Sequence, residues 1–438
     1  MPDGLLQKAI DIAAAGDGQT AYQCLVGAVA ANPADVDLNY RLGCALHDLR
    51  RWQAAGAAFA RTLALDAAHG RALANLGWNL HLGGRSEEGL ACLERAVEAV
   101  PFEGIPWMNL SLVRGTLGDD AGGLVAALRG VSAQPELAVA HVALAFALFF
   151  NGKWLAGFRE YQQRFSYKIP EFLKRPYPLW DGGQVNHLYL ESEQGIGDSI
   201  MMLRYVDEAR RRAERVTLYT QKELVGLCRE TFPEMRVEGL PGALPEADAW
   251  APLMSLPVAL AVEGPGDYAP WVARPWLKPP RLAGAPLRVG IAWGGNKTHE
   301  MAHHRDCPLV HFFRLCEVAG VEVHSLQVGE QAAELSALGA YGLFIDHAGE
   351  ISDMGDTARL VGEMDLVLTV DTAVAHLAGS MGCPTWLLLN QRGLDFRYGR
   401  KGETTEWYPG MKLWRRGLHE RWEDVMELVV DELRRVTR

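Results

Sequence analysis

The first 165 residues of this 438-residue chain repeat with a period of 34, and that period limits what the chain can fold into. Leucine recurs every 34 residues at Leu42, Leu76, Leu110 and Leu144. Glycine recurs with the same spacing at Gly84, Gly118 and Gly152. Prolines end successive units at Pro33, Pro101 and Pro135. Unrelated helical hairpins would not keep one common register, so this segment is an array of related units.

A 34-residue period with alanine-rich, amphipathic halves and a glycine between them is typical of tetratricopeptide repeats. Small residues let the two helices pack closely, and the glycine turns the chain. One unit cannot bury its apolar face alone, so stacked units form a solenoid with a concave surface. We predict four full repeats from about Asp3 to Ala138 and a fifth, more aromatic unit to about Phe165. Such solenoids bind peptides or proteins, so we expect any catalytic centre downstream.

The composition of the chain limits the classes of partner and the cellular compartment that we expect. The net charge of −11 argues against nucleic acid as a partner. The seven cysteines are scattered and form no C-x-x-C pair, which indicates reduced thiols rather than a disulfide or zinc framework. The start of the chain lacks the basic region and apolar core of a signal peptide, and no apolar run reaches about 18 residues. We therefore expect a cytoplasmic protein without a transmembrane segment.

The first of two predicted α/β regions follows a linker rich in proline and glycine. A strand over His187–Leu190 leads into a turn with Gly195 and Gly197, and a helix then runs to Arg212. The glycines let a ligand approach the backbone, but the turn is not G-x-G-x-x-G, so the signal for a dinucleotide is weak. Asp198 lies where this helix begins. It is either a helix cap or a general base, which would need an acceptor hydroxyl nearby.

The second α/β region opens with a strand over Leu287–Trp293 and a loop in the position of a phosphate cradle. Asn296 and Lys297 lie in that loop, and Arg305 follows as a further counter-charge for an anion. The segment His299–His303 matches the zinc-protease motif H-E-x-x-H. That chemistry requires both histidines on one face of a regular helix, whereas this segment lies in a loop. We therefore expect no metal site.

The most informative stretch begins with a predicted buried strand over Asp365–Val370. Asp371 and Thr372 then occupy the position of a helix cap, and His376 lies on the same helix face as Thr372. A helix that starts at the carboxyl end of a parallel strand points free N–H groups outward, so a hydroxyl, amides and an imidazole there suit a diphosphate. The alternative is that Asp371 only caps the helix and His376 is an ordinary helix histidine.

Five blocks of this sequence occur in a recognisable order. They are the glycine turn Gly195–Ser199, the A-W-G-G-N block Ala292–Asn296, the S-L-Q block Ser325–Gln327, the D-L-V-L-T-V-D-T-A-V-A-H-L-A-G block Asp365–Gly379 and the W-Y-P-G-M block Trp407–Met411. Together with the repeats they resemble bacterial tetratricopeptide-repeat glycosyltransferases, among them the flagellin glycosyltransferases. The catalytic half of those enzymes is similar to the heptosyltransferases of glycosyltransferase family 9.

The resemblance implies an α + α/β protein that combines an all-α solenoid with a GT-B module of two Rossmann-like domains. The implied segments are a repeat domain over 1–165, a linker over 166–185, an acceptor-side domain over 186–280, a donor-binding domain over 281–415 and a C-terminal helix over 416–438. The resemblance also implies that Asp198 is the catalytic base. The donor contacts that it implies are Asn296, Arg305, Asp371, Thr372, Ala373 and His376. The loop 297–304 departs from the more basic, proline-containing loop of the family, which leaves the nucleotide open.

We therefore expect a metal-independent transfer of a sugar from a nucleotide-sugar donor to a protein that the repeats recruit, such as flagellin or another surface protein. The amides of the helix, Thr372 and His376 would stabilise the leaving diphosphate, and Asp198 would deprotonate the acceptor hydroxyl. Two alternatives remain open. One is a non-catalytic repeat scaffold with a degenerate transferase half, and the other is a transferase acting on a lipopolysaccharide or polysaccharide acceptor.

Overall fold

The computed structural model describes residues 18–167, 174–267, 284–295, 305–340, 342–390, 395–417 and 420–437. The chain divides into two compact units, Met1–Leu173 and Lys174–Arg438. None of the described helices is both long enough and apolar enough to cross a membrane.

The first unit, within its described residues, is built of α-helices that pack on their neighbours in sequence. These helices are α1 Gly18–Ala31, α2 Val36–Asp48, α3 Trp52–Leu65, α4 Gly70–Leu82, α5 Ser86–Ala99, α6 Gly104–Thr116, α7 Asp120–Ala133, α8 Ala138–Phe150, α9 Trp154–Tyr161 and α10 Arg164–Tyr167. The helices α2, α4, α6 and α8 start 34 residues apart, and so do α3, α5, α7 and α9. The predicted array of tetratricopeptide-like helix pairs is therefore confirmed.

The turn inside each helix pair depends on a left-handed backbone conformation. The residues that adopt it are Arg50 at φ 57°, Gly84 at φ 82°, Gly118 at φ 87° and Gly152 at φ 66°. Only glycine takes this conformation without a steric cost, which explains the glycine that recurs between the two helices of a pair. The close packing of small residues is visible at Gly43, where an added Cβ would lie 2.4 Å from the Phe59 ring.

Within its described residues, the second unit contains two sheets in which every strand pair is parallel. The strands are β1 Val185–Glu191, β2 Ala213–Thr220, β3 Arg236–Gly239, β4 Ala249–Pro252, β5 Leu287–Ala292, β6 Val321–Ser325, β7 Ile345–Asp346, β8 Leu366–Val370, β9 Thr385–Asn390 and β10 Met411–Arg416. The first sheet has the order β3-β2-β1-β4, and the second has the order β10-β9-β8-β5-β6-β7.

The described α-helices of the second unit lie in the connections between these strands, except for the last one, which follows β10. They are α11 Ile196–Met202, α12 Val206–Arg211, α13 Lys222–Thr231, α14 Leu256–Ala259, α15 Glu334–Ala337, α16 Met354–Glu363, α17 Ala373–Ser380 and α18 Trp422–Val436. The single helix expected up to Arg212 was wrong, because a 3-10 segment over Leu203–Tyr205 separates α11 from α12. Arg204 supplies a physical reason, since its Nε donates to the Met201 carbonyl, which a continuous helix would use for a backbone bond.

The strand orders determine where a ligand site belongs. Counted from β5, the second sheet has the order 3-2-1-4-5-6 of the Rossmann fold, and counted from β1 the first sheet has its 3-2-1-4 part. In such sheets ligands bind beyond the carboxyl ends of the strands, where the order reverses. The reversal falls between β1 and β4 in one sheet and between β5 and β8 in the other. The predicted site residues after β1 and β8 lie at these two points.

Candidate functional site

Two of the predicted segments contact each other at the carboxyl edges of the two sheets. Gly197 is the second residue of α11, which follows β1, and His376 lies in α17, which follows β8. A Cβ on Gly197 would lie only 2.5 Å from Cδ2 of His376. Only glycine leaves room for the imidazole here, so this glycine lets a side chain of the other α/β half approach. That role differs from the predicted one, which was to let a ligand approach the backbone.

Asp198 lies at the third residue of α11, and both of its carboxylate oxygens are engaged. Oδ2 accepts a hydrogen bond of 3.1 Å from the backbone N–H of Gly195, where the helix is capped. Oδ1 forms an ion pair with Arg397. The side chain keeps 23% of its exposure. The carboxylate is therefore accessible at the crevice between the sheets, but it already has a cationic partner.

Arg397 is a buried cation that the sequence did not reveal. Its side chain is 7% exposed, Nη1 lies 2.6 Å from Oδ2 of Asp395, and Nε contacts the Met201 sulfur at 2.8 Å. Burial opposes the charged guanidinium, but the carboxylates of Asp395 and Asp198 outweigh it and raise the pKa of Arg397. Arg397 follows β9 at the same sheet edge as α17, yet it is 199 residues from Asp198, so spacing cannot indicate the pair.

His376 is enclosed by two tyrosines. Its Nδ1 lies 2.8 Å from the Tyr408 hydroxyl, and its Nε2 lies 3.5 Å from the Tyr398 hydroxyl. Burial lowers the pKa of His376 well below its usual value, and Arg397 and Arg305, among other arginines, lower it further. The imidazole is therefore neutral in this arrangement, and it acts as a hydrogen-bonding group rather than as a cation.

Asp371 does not cap α17, which corrects its predicted position. Its Oδ1 accepts a hydrogen bond of 3.1 Å from the Tyr398 hydroxyl, and its Oδ2 lies 3.4 Å from Nε of Arg305. Burial raises the pKa of the Asp371 carboxyl, and Arg305 opposes that shift. The cap residue is Thr372, whose side chain forms no capping hydrogen bond, and the helix proper starts at Ala373.

The loop after β5 is held by buried polar side chains. Oε1 of Gln327 accepts hydrogen bonds from the backbone N–H groups of Trp293 and Gly294, at 3.0 and 3.1 Å. Oδ1 of Asp306 accepts another, of 3.1 Å, from Gly295. The candidates Asn296 and Lys297 and the H-E-x-x-H segment over 299–303 lie outside the described residues.

One more arginine, also missed in the sequence, joins the two sheets. Arg204 lies between α11 and α12, and its Nη2 donates to the carbonyl of Trp407 at 3.1 Å. Its guanidinium lies 5.0 Å from the Trp407 ring centroid and 5.2 Å from that of Tyr408. Guanidinium groups and an N-terminal helix turn attract anions, so this edge has the chemistry of an anion site.

The structure therefore brings most of the predicted donor residues together. Those that share this edge are Arg305, Asp371, Thr372, Ala373 and His376. Gly195 caps α11, and Gly197 and Asp198 lie in the first turn of this helix, which contacts them from the side of the first sheet. Arg397, Asp395, Tyr398 and Arg204 were not predicted. Tyr408 lies in the W-Y-P-G-M block, although nothing in that block indicated its bond to His376.

Comparison with known proteins gives one relative along most of the chain. No family model matches the sequence. Protein FlbA of Caulobacter vibrioides is 25% identical over 450 residues, which cover 92% of this chain and 74% of FlbA. The similarity therefore extends over both compact units.

Solved structures resemble the chain only in part. The pilF protein of Pseudomonas aeruginosa is 17% identical and covers 53% of this chain and 92% of its own, with a TM-score of 0.38. A thermophilic tetratricopeptide-repeat protein of Thermus thermophilus is 18% identical and covers 40% of this chain and 94% of its own, with a TM-score of 0.35. MamA of Desulfovibrio magneticus is 20% identical and covers 40% of this chain and 96% of its own, with a TM-score of 0.33.

Proposed function

We propose that the second unit is a glycosyltransferase of the GT-B type, which uses a nucleotide-sugar donor. One observation carries this proposal. Two parallel sheets with Rossmann-type strand orders meet at their carboxyl edges, and Gly197 of one contacts His376 of the other. Each edge is where such a sheet binds ligands, so a donor on one sheet and an acceptor on the other would meet in the crevice.

The donor diphosphate is assigned to the edge of the second sheet. The first turn of α17 follows Thr372, whose side chain forms no capping hydrogen bond. Nε of Arg305 lies 3.4 Å from Oδ2 of Asp371, the residue that precedes Thr372. A leaving diphosphate gains negative charge in the transition state, and helix amides and a guanidinium stabilise that charge. The positive groups of the chain itself supply this stabilisation, so the proposal includes no metal step.

The acceptor base is assigned to Asp198. It lies on the opposite sheet and keeps part of its exposure at the crevice. A carboxylate there suits the abstraction of a proton from an acceptor hydroxyl as the glycosidic bond forms. We propose that the acceptor is a protein, such as flagellin or another surface protein, because the preceding unit is a helical repeat of a type that binds peptides and proteins.

The experiment is a transfer assay with the full chain. Purified protein is incubated with UDP-, GDP-, ADP- and CMP-linked sugars and with flagellin, and the release of nucleotide and the mass of the acceptor are followed. We expect one donor class to be consumed and the acceptor mass to rise by one sugar. Asp198→Asn should abolish both. Asp207→Asn is the matched control, because that carboxylate pairs with Arg210 on the surface of α12.

A second candidate, a non-catalytic scaffold, is favoured by one feature. Both oxygens of Asp198 are engaged within the protein, by Gly195 and Arg397. A scaffold would consume no donor in the transfer assay, and Asp198→Asn would leave its biological function unchanged. Either result would contradict the transferase proposal.

A further inference from the structure

We propose that Arg397 is shared between Asp198 and the diphosphate of the donor, so that binding of the anion releases Asp198 from its ion pair. This inference rests on the proposed function and adds a regulatory step to the same site. In the free protein the candidate base is held by a cation. In the donor complex the cation turns to the diphosphate, and the carboxylate becomes free to accept a proton.

The position of Arg397 supports this sharing. Its guanidinium bridges Asp198, in the first turn of α11, and Asp395, in the segment that follows β9. The next residue, Tyr398, donates its hydroxyl hydrogen to Asp371 immediately before α17. Arg397 thus lies between the carboxylate assigned to the acceptor side and the helix start assigned to the diphosphate.

The backbone of Arg397 is held by hydrogen bonds, and a single side-chain bond joins the residue to Asp198. Its N–H donates to Oδ1 of Asp395 at 3.0 Å, and its carbonyl accepts from the hydroxyl of Thr405. Asp395 also holds Nη1 of the guanidinium, so only the Nη2 bond to Asp198 has to break for an anion to take its place. Arginine forms charge-assisted hydrogen bonds to phosphate oxygens, and a diphosphate carries more negative charge than a single carboxylate, so it competes strongly for the released Nη2.

The charges around His376, Asp371 and Arg397 explain why an incoming anion would compete with the aspartates for Arg397. The leading charged neighbours of His376, Asp371 and Arg397 are three arginines and three aspartates. They are Arg204, Arg305, Arg397, Asp198, Asp371 and Asp395. An incoming diphosphate adds negative charge to a balanced, partly buried set, so it competes with the existing carboxylates for the guanidinium groups.

The chemical step then follows in a fixed order. With Arg397 on the diphosphate, Asp198 accepts the proton of the acceptor hydroxyl. The acceptor oxygen forms a bond to the anomeric carbon of the sugar. The bond from that carbon to the phosphate oxygen breaks, and the diphosphate leaves with the electron pair while Arg397 stabilises its negative charge. Without a donor the base stays paired, which limits unproductive proton transfer.

The test measures how tightly the full chain binds the nucleoside diphosphate of whichever donor it accepts. Titration calorimetry is carried out on wild type, Asp198→Asn, Arg397→Gln and the double variant. We expect Asp198→Asn to tighten binding by at least about fivefold, because the competing carboxylate is gone. Arg397→Gln should weaken binding by a similar factor, and Asp198→Asn should change affinity less than about twofold in that background. Asp207→Asn should leave affinity unchanged.

The outcomes separate this inference from the proposed function. If wild type binds none of UDP, GDP or ADP, the proposed function fails and the inference fails with it. If wild type binds one of them but Asp198→Asn binds it equally or more weakly, the sharing of Arg397 is overturned while the donor site stands. Should Arg397→Gln fail to fold, Asp198→Asn alone still decides the matter, with Arg397→Lys as the variant that keeps the charge but loses the bidentate geometry.

Discussion

At the scale of single residues, His376 links the site to pH. Its folded-state pKa lies well below the usual value because of burial and nearby arginines, whereas its pKa in the unfolded chain is about 6.5. Below that pH the unfolded chain binds a proton that the folded chain excludes, so stability falls as the pH drops. The loss approaches about 1.4 kcal/mol per pH unit.

We expect His376→Gln to remove this part of the pH dependence. The free energy of unfolding of the full chain is measured by denaturant at pH 7 and pH 5.5, for wild type and variant. Wild type should lose more stability between the two values than the variant does. Equal losses would mean that His376 takes up its proton at the same pH in the folded and unfolded chains.

Gly197 is the second residue whose role is testable directly. Its Cβ would lie 2.5 Å from the His376 ring, so Gly197→Ala should cost about 1–3 kcal/mol through overpacking and should weaken nucleotide binding. Gly349→Ala is the matched control, because an added Cβ meets nothing within 4 Å there. Denaturant unfolding and calorimetry report the two effects. An unchanged affinity in Gly197→Ala would separate this contact from the donor site.

The predictability of the site residues depended on their spacing in sequence. Thr372 and His376 lie four residues apart on one helix, and helical geometry alone places them on one face. Arg397 pairs with Asp198 across 199 residues, a relation that only the meeting of two sheets creates. Asp371 was predicted to cap the helix, but a tyrosine hydroxyl from another loop competes for its carboxylate, and no local pattern indicates that.

At the scale of secondary-structure elements, replacing the glycine in the turn of a helix pair should measurably lower the stability of the repeats. Gly118 has φ 87° and open space around its Cα. Gly118→Ala should therefore destabilise the repeats by about 1–2 kcal/mol through backbone strain alone. Gly27→Ala, in the exposed middle of α1, should instead stabilise by about 0.5–1 kcal/mol. Thermal unfolding of the full chain, followed by circular dichroism in the helical band, tests both. The same sign for both variants would contradict this account of the turn.

Elements with a strong local pattern were predictable. The repeat helices follow from the 34-residue register, and β8 follows from a run of apolar residues that is buried throughout. The break between α11 and α12 was not predictable, because the helical pattern continues through it. It depends on Arg204, whose side chain binds the backbone of a distant loop.

At the scale of the whole molecule, Arg204 connects the two sheets of the second unit. It is 4% exposed, and its Nη groups donate to the carbonyls of Pro265 and Trp407. Arg204→Met removes the guanidinium donors to both carbonyls, so we expect a loss of about 1–3 kcal/mol in the free energy of unfolding. Arg210→Met, on the surface of α12, should change it by less than about 0.5 kcal/mol. Similar losses in the two variants would mean that the link does not stabilise the unit.

The central claim is that the start of α17 binds the diphosphate of a nucleotide sugar. The most direct measurement is the thermal shift of the full chain with UDP, GDP, ADP, CMP and their sugars, with Thr372→Ala/His376→Ala alongside. The account predicts stabilisation by one of the diphosphates UDP, GDP and ADP, by about 2.7 kcal/mol at a ligand concentration one hundred times the Kd, and its loss in the double variant, with the monophosphate CMP as the comparison that lacks a diphosphate. No shift with any nucleotide, or a shift that persists in the double variant, would contradict it.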